Sequence, residues 1–571
     1  MSEYDTFAAA PVGQTDREMQ VAEGVLSRFA EAVTYRNSFA QQWEEVASLV
    51  LPAHRGTFMY GAYSTPGDKK TDQQVDASGM MALHRFAAIC DSLLTPRNSR
   101  WHALSANDEY VMKDRATRLW FEDTTRRLFR YRYDPAANFS SQNNANFEQL
   151  GAFGNIGMFV DRQYSVRGRK GLRYRSLPMG ELFLFENHQG LVDEFIRWFR
   201  LTARQAYELW PDKFPEKLRE PLLKGSLTKY DFLHHVAPRK TYDPDRLDDE
   251  GKPYKSCYVF MDGRTILQEG GYNSFPAAIS RYSQAPGEVY GRGPAMLVLP
   301  ALKTLNAQKR TFLKQGHRAA DPVLLTADDG LVDFSMKPGA LNKGGWSSDG
   351  KPLVGVLPTG DIQTSEEMMA VERSTINDAF LVSLFQILEE TPQMSATEVI
   401  ERVNEKGILI APTMGRQQSE YLGPLIDREL DLLSDMGLLL PMPPRLKEAG
   451  GSYSVVYTSP LSRAARAQES AGFMRSVEGV KELVNITQDP SLLDRFNFDI
   501  AVPEIAEQQG VPENWMSSDA QVAAKRENRA QAQAKQQEIQ AMPAQAAMMK
   551  AQAAAQKNGG GQQGPSQPGV V

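Results

Sequence analysis

The sequence is poor in the residues that build covalent staples and catalytic centres. Only two cysteines, Cys90 and Cys257, occur in 571 residues. Two thiols so far apart cannot make a disulfide framework; they predict a reducing environment, with both buried as small apolar groups. No run of about twenty apolar residues exists, which excludes a helical membrane span by length. The opening Met1-Ser2-Glu3-Tyr4-Asp5 is acidic with no apolar block behind it, unlike a secretory leader. No Gly-x-x-x-x-Gly-Lys-Ser/Thr loop is present to cradle nucleotide phosphates, and the seven histidines form no His-Glu-x-x-His arrangement. Cysteine and histidine spacing fits no zinc site, and no Gly-x-Ser-x-Gly elbow occurs. Gly291-Arg-Gly293 is a fragment of a dinucleotide fingerprint without its strand or third glycine. His234 and His235 are adjacent rather than helically spaced. The acidic pairs Asp328-Asp329 and Glu389-Glu390 read as solvated turns in a chain with 70 aspartates and glutamates. These absences predict no catalytic residue, no cofactor and no metal.

A surplus of positive charge is also missing. Lysine and arginine total 64 against 70 acidic residues, a net charge of −6. A protein that grips DNA through many phosphates carries a basic excess, so tight static binding over the whole surface is disfavoured. A conduit with sparse local cations remains compatible with this balance.

What is present is a long chain of helical runs around a β-rich middle, an α+β pattern dominated by helix and too long for one core. Thr15-Asp-Arg-Glu18 is a capping box, and Val21, Val25, Phe29, Val33, Trp43, Val46 and Leu49 follow at helical spacing up to Pro52. A second helical run spans about 76–94 and stops before Pro96. The segment 147–157 is helical and then glycine-punctuated, leading into a strand from Met158. From about 170 to 290, aromatic and β-branched runs such as Leu182-Phe-Leu-Phe185 and Thr265-Ile-Leu267 alternate with turns and predict strands.

The middle is the most informative part. A helix is predicted over 293–320, with Pro294 in a tolerated first-turn position and Pro300 marking either a kink or the true start. Val298, Leu302, Leu305 and Phe312 form its apolar stripe; Lys303, Arg310, Lys314 and His317 form a basic one. About forty turn-rich residues follow. Thr364-Ser-Glu-Glu367 then predicts the start of a second helix, whose charges Glu366, Glu367, Glu372 and Asp378 are mainly acidic. Two helices joined by a compact β-rich excursion make a hairpin with a head. After Glu389-Glu-Thr-Pro392, a third capping box, Ser395-Ala-Thr-Glu398, opens a run to about Met436. Pro412, Gly415 and Pro424 predict that it is kinked or segmented. A strand over Tyr453–Tyr457, helical stretches to about 528, and an Ala/Gln-rich then Gly/Gln/Pro tail complete the chain. The first part of that tail fits a solvated helix, and 521–571 as a whole is expected to be disordered.

Laid out this way, the chain resembles the head-to-tail connector, or portal, family of short-tailed bacteriophages, over roughly residues 15–520. Three regions carry the resemblance. Tyr290-Gly-Arg-Gly-Pro-Ala295 followed by Leu299-Pro-Ala-Leu-Lys-Thr-Leu-Asn306 looks like the entry to the family's first stem helix. Met394-Ser-Ala-Thr-Glu-Val399 is similar to the start of its long helix. Leu150-Gly-Ala-Phe-Gly-Asn-Ile-Gly-Met158, with Leu94-Thr-Pro96 ahead of Trp101, resembles its wing.

The resemblance implies a portal fold and a ring of about twelve copies with a central channel at one capsid vertex. Its implied parts are a wing over 1–292, a first stem helix over 293–320, a clip over 321–362 and a second stem helix over 363–385. A tunnel loop over 386–394 precedes a kinked helix and return strand over 395–460, and a crown over 461–520 follows. Double-stranded DNA would pass through during packaging and ejection. Partners would be the terminase large subunit, tail adaptor or tail tube proteins, and the major capsid and scaffolding proteins, in the virion and, during assembly, in the host cytoplasm, with no membrane role. Lys303, Arg310, Lys314 and Arg318 would touch DNA, or else pair with the acids of the second stem helix within or between subunits. Glu389, Glu390, Thr391, Pro392 and Gln393 would form the tunnel loop. Lys343, Trp346 and Lys351 would meet clip partners, although Trp346 could equally pack on its own head. Two competing readings are another virion component, from the internal core or the tail, and a soluble enzyme with an unrecognised site.

Overall fold

The computed structural model describes residues 15–62, 64–163, 168, 170–246, 248–326, 335–358, 362–383, 415–457, 460–487, 494–508, 511 and 515–558. It is 52% helical and 17% strand, so helix dominates an α+β chain. The chain divides into two compact units. One comprises Met1–Ser105, Asp123–Met442 and Tyr453–Glu469; the other comprises Ala106–Glu122, Pro443–Ser452 and Ser470–Val571. The second unit therefore joins the expected crown and tail to two short pieces expected in the wing.

The strands, in chain order, are β1 His102–Ala106, β2 Asn155–Arg162, β3 Leu172–Ser176, β4 Leu182–Glu186, β5 Val192–Thr202, β6 Lys229–Pro238, β7 Tyr254–Phe260, β8 Thr265–Tyr272, β9 Ala277–Arg281, β10 Leu324–Thr326, β11 Val354–Val356 and β12 Tyr453–Tyr457. β4 to β8 form a five-stranded meander in sequence order, and β3-β2-β9 form a second sheet, all antiparallel.

The meander is buried on both faces. Ile196 and Trp198 of β5, Leu233 of β6, Val259 of β7 and Ile266 of β8 pack with Ala22, Val25, Phe29 and Ala32 of the first helix, Asp16–Leu49. Their sequence neighbours Phe199, Phe232, Phe260 and Leu267 point the other way, onto Ala203, Ala206, Trp210 and Leu218. The two-residue period of a strand sorts these side chains. Each large apolar side chain so buried contributes roughly 1.5–3 kcal/mol. The first helix opens as its capping box predicts: Thr15 and Glu18 satisfy each other's backbone N–H groups.

Buried arginines bind the first unit together. Arg36, on the first helix, donates to the carbonyls of Phe58, Met179, Gly180 and Leu182 at 2.8–3.1 Å and lies over the Phe183 ring at 3.7 Å. Burial without a carboxylate partner pushes its guanidinium down to about 10. The Trp101 indole, fully buried, donates to the Tyr133 hydroxyl at 3.1 Å. Cys90 and Cys257 are free and buried, as their spacing predicts.

Of the run from 395, the described part begins at residue 415 and changes helix type along its length. Gln417–Leu422 is a π-helical turn, in which the Gly423 N–H reaches back five residues to the Gln418 carbonyl. Pro424 follows at the start of the regular helix Gly423–Asp435; lacking an N–H, it cannot continue the normal ladder backwards. In the second unit, the Ala/Gln-rich run is helical over Asp519–Asn558, the solvated-helix reading rather than the disordered one, and the described side chains of 523–536 are all exposed.

Candidate functional site

The hairpin predicted from the middle of the sequence forms, with three differences. The first rod is two helices, Pro294–Leu297 and Leu299–Ala320, separated at Val298. Pro300 occupies the second position of the longer helix, so it marks the true start and not a kink. The second rod, Ile362–Ala379, begins before Thr364. The Thr364–Glu367 spacing thus lies within the first turn and does not cap it. This rod also ends short of 385, because Leu381 takes a left-handed φ of 61° that ends the regular ladder.

The two rods pack on each other. Leu302 and Leu305 of the first rod, and Met369 and Ile376 of the second, are buried. The Ser365 hydroxyl donates to Gln315 Oε1 at 3.2 Å, which sets the level of one rod against the other. Phe380, just past the second rod, meets Phe86 edge to face with centroids 6.1 Å apart.

Both rods are rooted on one short segment, residues 73–79, which runs into the start of the helix Ser78–Leu94. Asn306 Oδ1 accepts from the N–H groups of Val75 and Asp76 at 2.8 and 3.3 Å, and its amide donates to the Gln73 carbonyl at 3.1 Å. Arg310 donates to the same carbonyl at 2.9 Å. From the second rod, Arg373 pairs with Asp76 at 2.9 Å. Burial opposes the charge on Asp76, but hydrogen bonds from Ser78 and Arg373 outweigh it and hold the carboxyl below its ordinary range. Gly79 lets the first rod approach closely: a Cβ there would lie 2.5 Å from Leu302 Cδ2, so that leucine would have to shift.

The root of the first rod is fixed again by two glycine-rich segments that meet. A Cβ on Gly291 would lie 2.4 Å from the Gly154 carbonyl oxygen, and one on Gly293 would lie 2.7 Å from the Gly154 nitrogen. Gly154 has φ 74°, the left-handed conformation that ends the helix Phe139–Phe153. Asn155 bridges the seam, accepting from the Gly291 N–H at 2.7 Å and donating to the Gly291 carbonyl at 3.3 Å.

At the far end of the rods, β10 and β11 pair antiparallel, with Leu325 opposite Gly355. A single bridge joins Trp346 to Pro352. Trp346 is 68% exposed, so it is not packed on its own head. Lys343 and Lys351 are exposed beside it in sequence.

The candidate channel cations fall into two groups. Lys303 meets Glu45 at 2.5 Å, and Arg310 is held at the Gln73 carbonyl. Lys314 and Arg318 are exposed, and among the described residues neither meets a carboxylate. Within the chain, none of the four pairs with the acids of the second rod among the described residues. Glu389 to Gln393, Met394 and the capping box at Ser395 lie outside the described residues.

Sequence reading missed Asn306 as the pin between rod and segment, though it ends the quoted stretch from Leu299. It also missed the Arg373–Asp76 pair, for which a lone arginine on an acidic helix was the available signal. Among the described residues, no group of three or more His, Cys, Asp or Glu could hold a metal ion, and no helix is long and apolar enough to cross a membrane.

The rod–head–rod hairpin sits on a mixed α+β body, and comparison with known families decides which family the chain belongs to. The model of the bacteriophage head to tail connecting protein family matches residues 22–517. The chain belongs to that family. Two relatives of the connector agree along their length. It is 28% identical to the "Probable portal protein" of Bordetella phage BPP-1 over 542 residues, covering 92% of this chain and 93% of the relative. It is 28% identical to the "Portal protein" of Salmonella phage epsilon15 over 533 residues, covering 90% and 92%. Membership makes the connector a structural component of the phage particle.

Proposed function

We propose that this chain is the portal subunit of a short-tailed phage: a non-catalytic protein whose copies, about twelve, close into a ring around a channel for double-stranded DNA. The observation that carries this reading is the hairpin over 299–379, a pair of rods with a small β head, in a chain whose family match runs nearly end to end. In this reading the rods are the stem around the channel. The head is the clip, on which the packaging ATPase docks first and tail proteins later. The exposed Trp346, with Lys343 and Lys351, is its contact surface, since exposed tryptophan is favoured as an interface anchor.

A conduit must neither hold nor repel the duplex. A net charge of −6 keeps DNA from sticking broadly, while a few cations can touch phosphates in passing, because such contacts carry no sequence information. Arg310 keeps its charge, since its local partner is a neutral carbonyl, as do the exposed Lys314 and Arg318. Lys303 is neutralised by Glu45.

Native mass spectrometry of the purified chain tests the proposal. A closed homo-oligomer near twelve copies is expected. A monomer at all concentrations contradicts it.

A further inference from the structure

Resting on the portal reading, the geometry points to a charge-matched seam between neighbouring copies: the basic flank of one copy's first rod docks on the acidic outer face of the next copy's second rod.

The outer face of the second rod is defined by what its inner face buries. Met369 and Ile376 are buried, and at 3.6 residues per turn the side chains opposite them are Glu367, Val371, Ser374 and Asp378. All four are exposed, Val371 at 66%, and the adjacent Met368 and Glu366 are exposed as well. This face is acidic and apolar together. It carries a solvent-facing valine and methionine, side chains that gain from being covered.

On the first rod, Lys314 and Arg318 lie one turn apart and are exposed, with Leu313, 43% exposed, beside them. Among the described residues, neither cation meets a carboxylate, and neither Glu366 nor Glu367 meets a cation. Lys314 and Arg318 on one rod, and Glu366 and Glu367 on the other, are thus unmatched charges of opposite sign on one hairpin, each pair with an exposed apolar neighbour.

Their heights decide the partner. The Ser365–Gln315 hydrogen bond puts those two residues level. Counting antiparallel from it at about 1.5 Å per residue places Lys314 level with Glu366 and within about 2 Å of Glu367 along the rods. Copies in a ring are related by rotation about one axis, which, with the rods running along that axis, leaves height along them unchanged. A cation and an acid at one height, on different rods of the same hairpin, are thereby carried to the same height on adjacent copies. A heterologous contact of this kind, repeated, closes a ring, and opposite charges across it favour the correct neighbour and register. Free DNA is the weaker partner for these two cations, since it leaves Glu366, Glu367 and Val371 facing solvent or the duplex.

Charge reversal tests the seam in the full-length chain. The variants are K314E/R318E, E366K/E367K and the four-fold combination, with assembly measured by sedimentation velocity at low salt. Each double reversal is expected to reduce the ring fraction at least about tenfold, and the combination to restore most of it, since every pair is then opposite again. Rescue in the combination also excludes misfolding as the cause of the loss. If the double variants assemble like the unaltered chain, or the combination is no better than they are, the seam is wrong. Normal rings with reduced DNA packaging for K314E/R318E alone would overturn it in favour of a phosphate contact. In all these outcomes the portal reading survives; it fails separately if the unaltered chain forms no ring.

Discussion

Glu429 receives the Arg132 guanidinium through both of its oxygens, in a site where neither side chain reaches solvent. The Tyr174 hydroxyl donates to the same carboxylate at 2.6 Å, His102 Nε2 accepts from Arg132 at 2.9 Å, and the guanidinium lies 4.6 Å from the Trp101 ring. Four segments distant in sequence thus converge on one ion pair. Removing one partner of such a pair leaves the other charged and desolvated. Glu429→Gln is expected to destabilise the chain by about 3–5 kcal/mol, read as a large drop in thermal midpoint and soluble yield. A midpoint within a degree or two of the unaltered protein would show that the pair is not holding these segments.

Acid should weaken the first unit before its carboxylates protonate. Burial lowers His54 from 6.5 to about 4, and holds His102 and His234 well below 6.5, so all three imidazoles are neutral when folded. Below 6.5 the unfolded chain takes up protons that the folded chain refuses, and stability falls as pH drops toward 4. Glu194 adds a later loss. Burial alone would raise its pKa, but hydrogen bonds from His235 and Arg28 overrule this and bring it from 4.5 to about 2, so its contribution fades between those values. Thermal midpoints across this range should decline from about pH 6.5, with His54→Gln less sensitive than the unaltered chain. A flat profile down to pH 4.5 would contradict buried neutral histidines.

The glycine seam at the root of the first rod leaves no room for a methyl group. In Gly154→Ala a Cβ would sit 2.4 Å from the Gly293 nitrogen, on a backbone of positive φ. A cost of about 3 kcal/mol or more is expected, together with loss of assembly, because the rod departs from this point. Gly316→Ala, where a Cβ would meet nothing within 4 Å, should be harmless in the same assays. Equal behaviour of the two variants would refute the packing argument.

Trp346 separates folding from partner binding. Because its ring is 68% exposed, Trp346→Ala should change stability by no more than about 0.5 kcal/mol. Binding of the packaging ATPase or of tail proteins, measured by pull-down with assembled rings, should fall at least about tenfold. Unchanged binding would remove Trp346 from the contact surface.

Periodicity and punctuation made much of this legible. The first helix was readable from Thr15 onward because its cap and apolar stripe agree, and the hairpin because two helical stripes flank a turn-rich stretch. The two glycine-rich motifs were visible, but not that they touch: a contact between residues about 140 positions apart leaves no trace in local spacing. Arg132, Arg281 and Glu429 were invisible for a different reason. In sequence a buried charge looks like a solvated one, and only the surrounding fold shows that Arg281 is enclosed with Glu186 and Glu420. Thr364 and Glu367 have the spacing of a cap but sit within a helix that begins at Ile362, so in sequence a first-turn pair looked like the cap.

Electron microscopy of the purified full-length chain is the most direct test of the central claim. The account predicts closed rings with an axial hole, in which the hairpin formed by Leu299–Ala320 and Ile362–Ala379 surrounds the opening. Particles without a hole, or rings whose opening is bounded by other segments while these rods face outward, would contradict it.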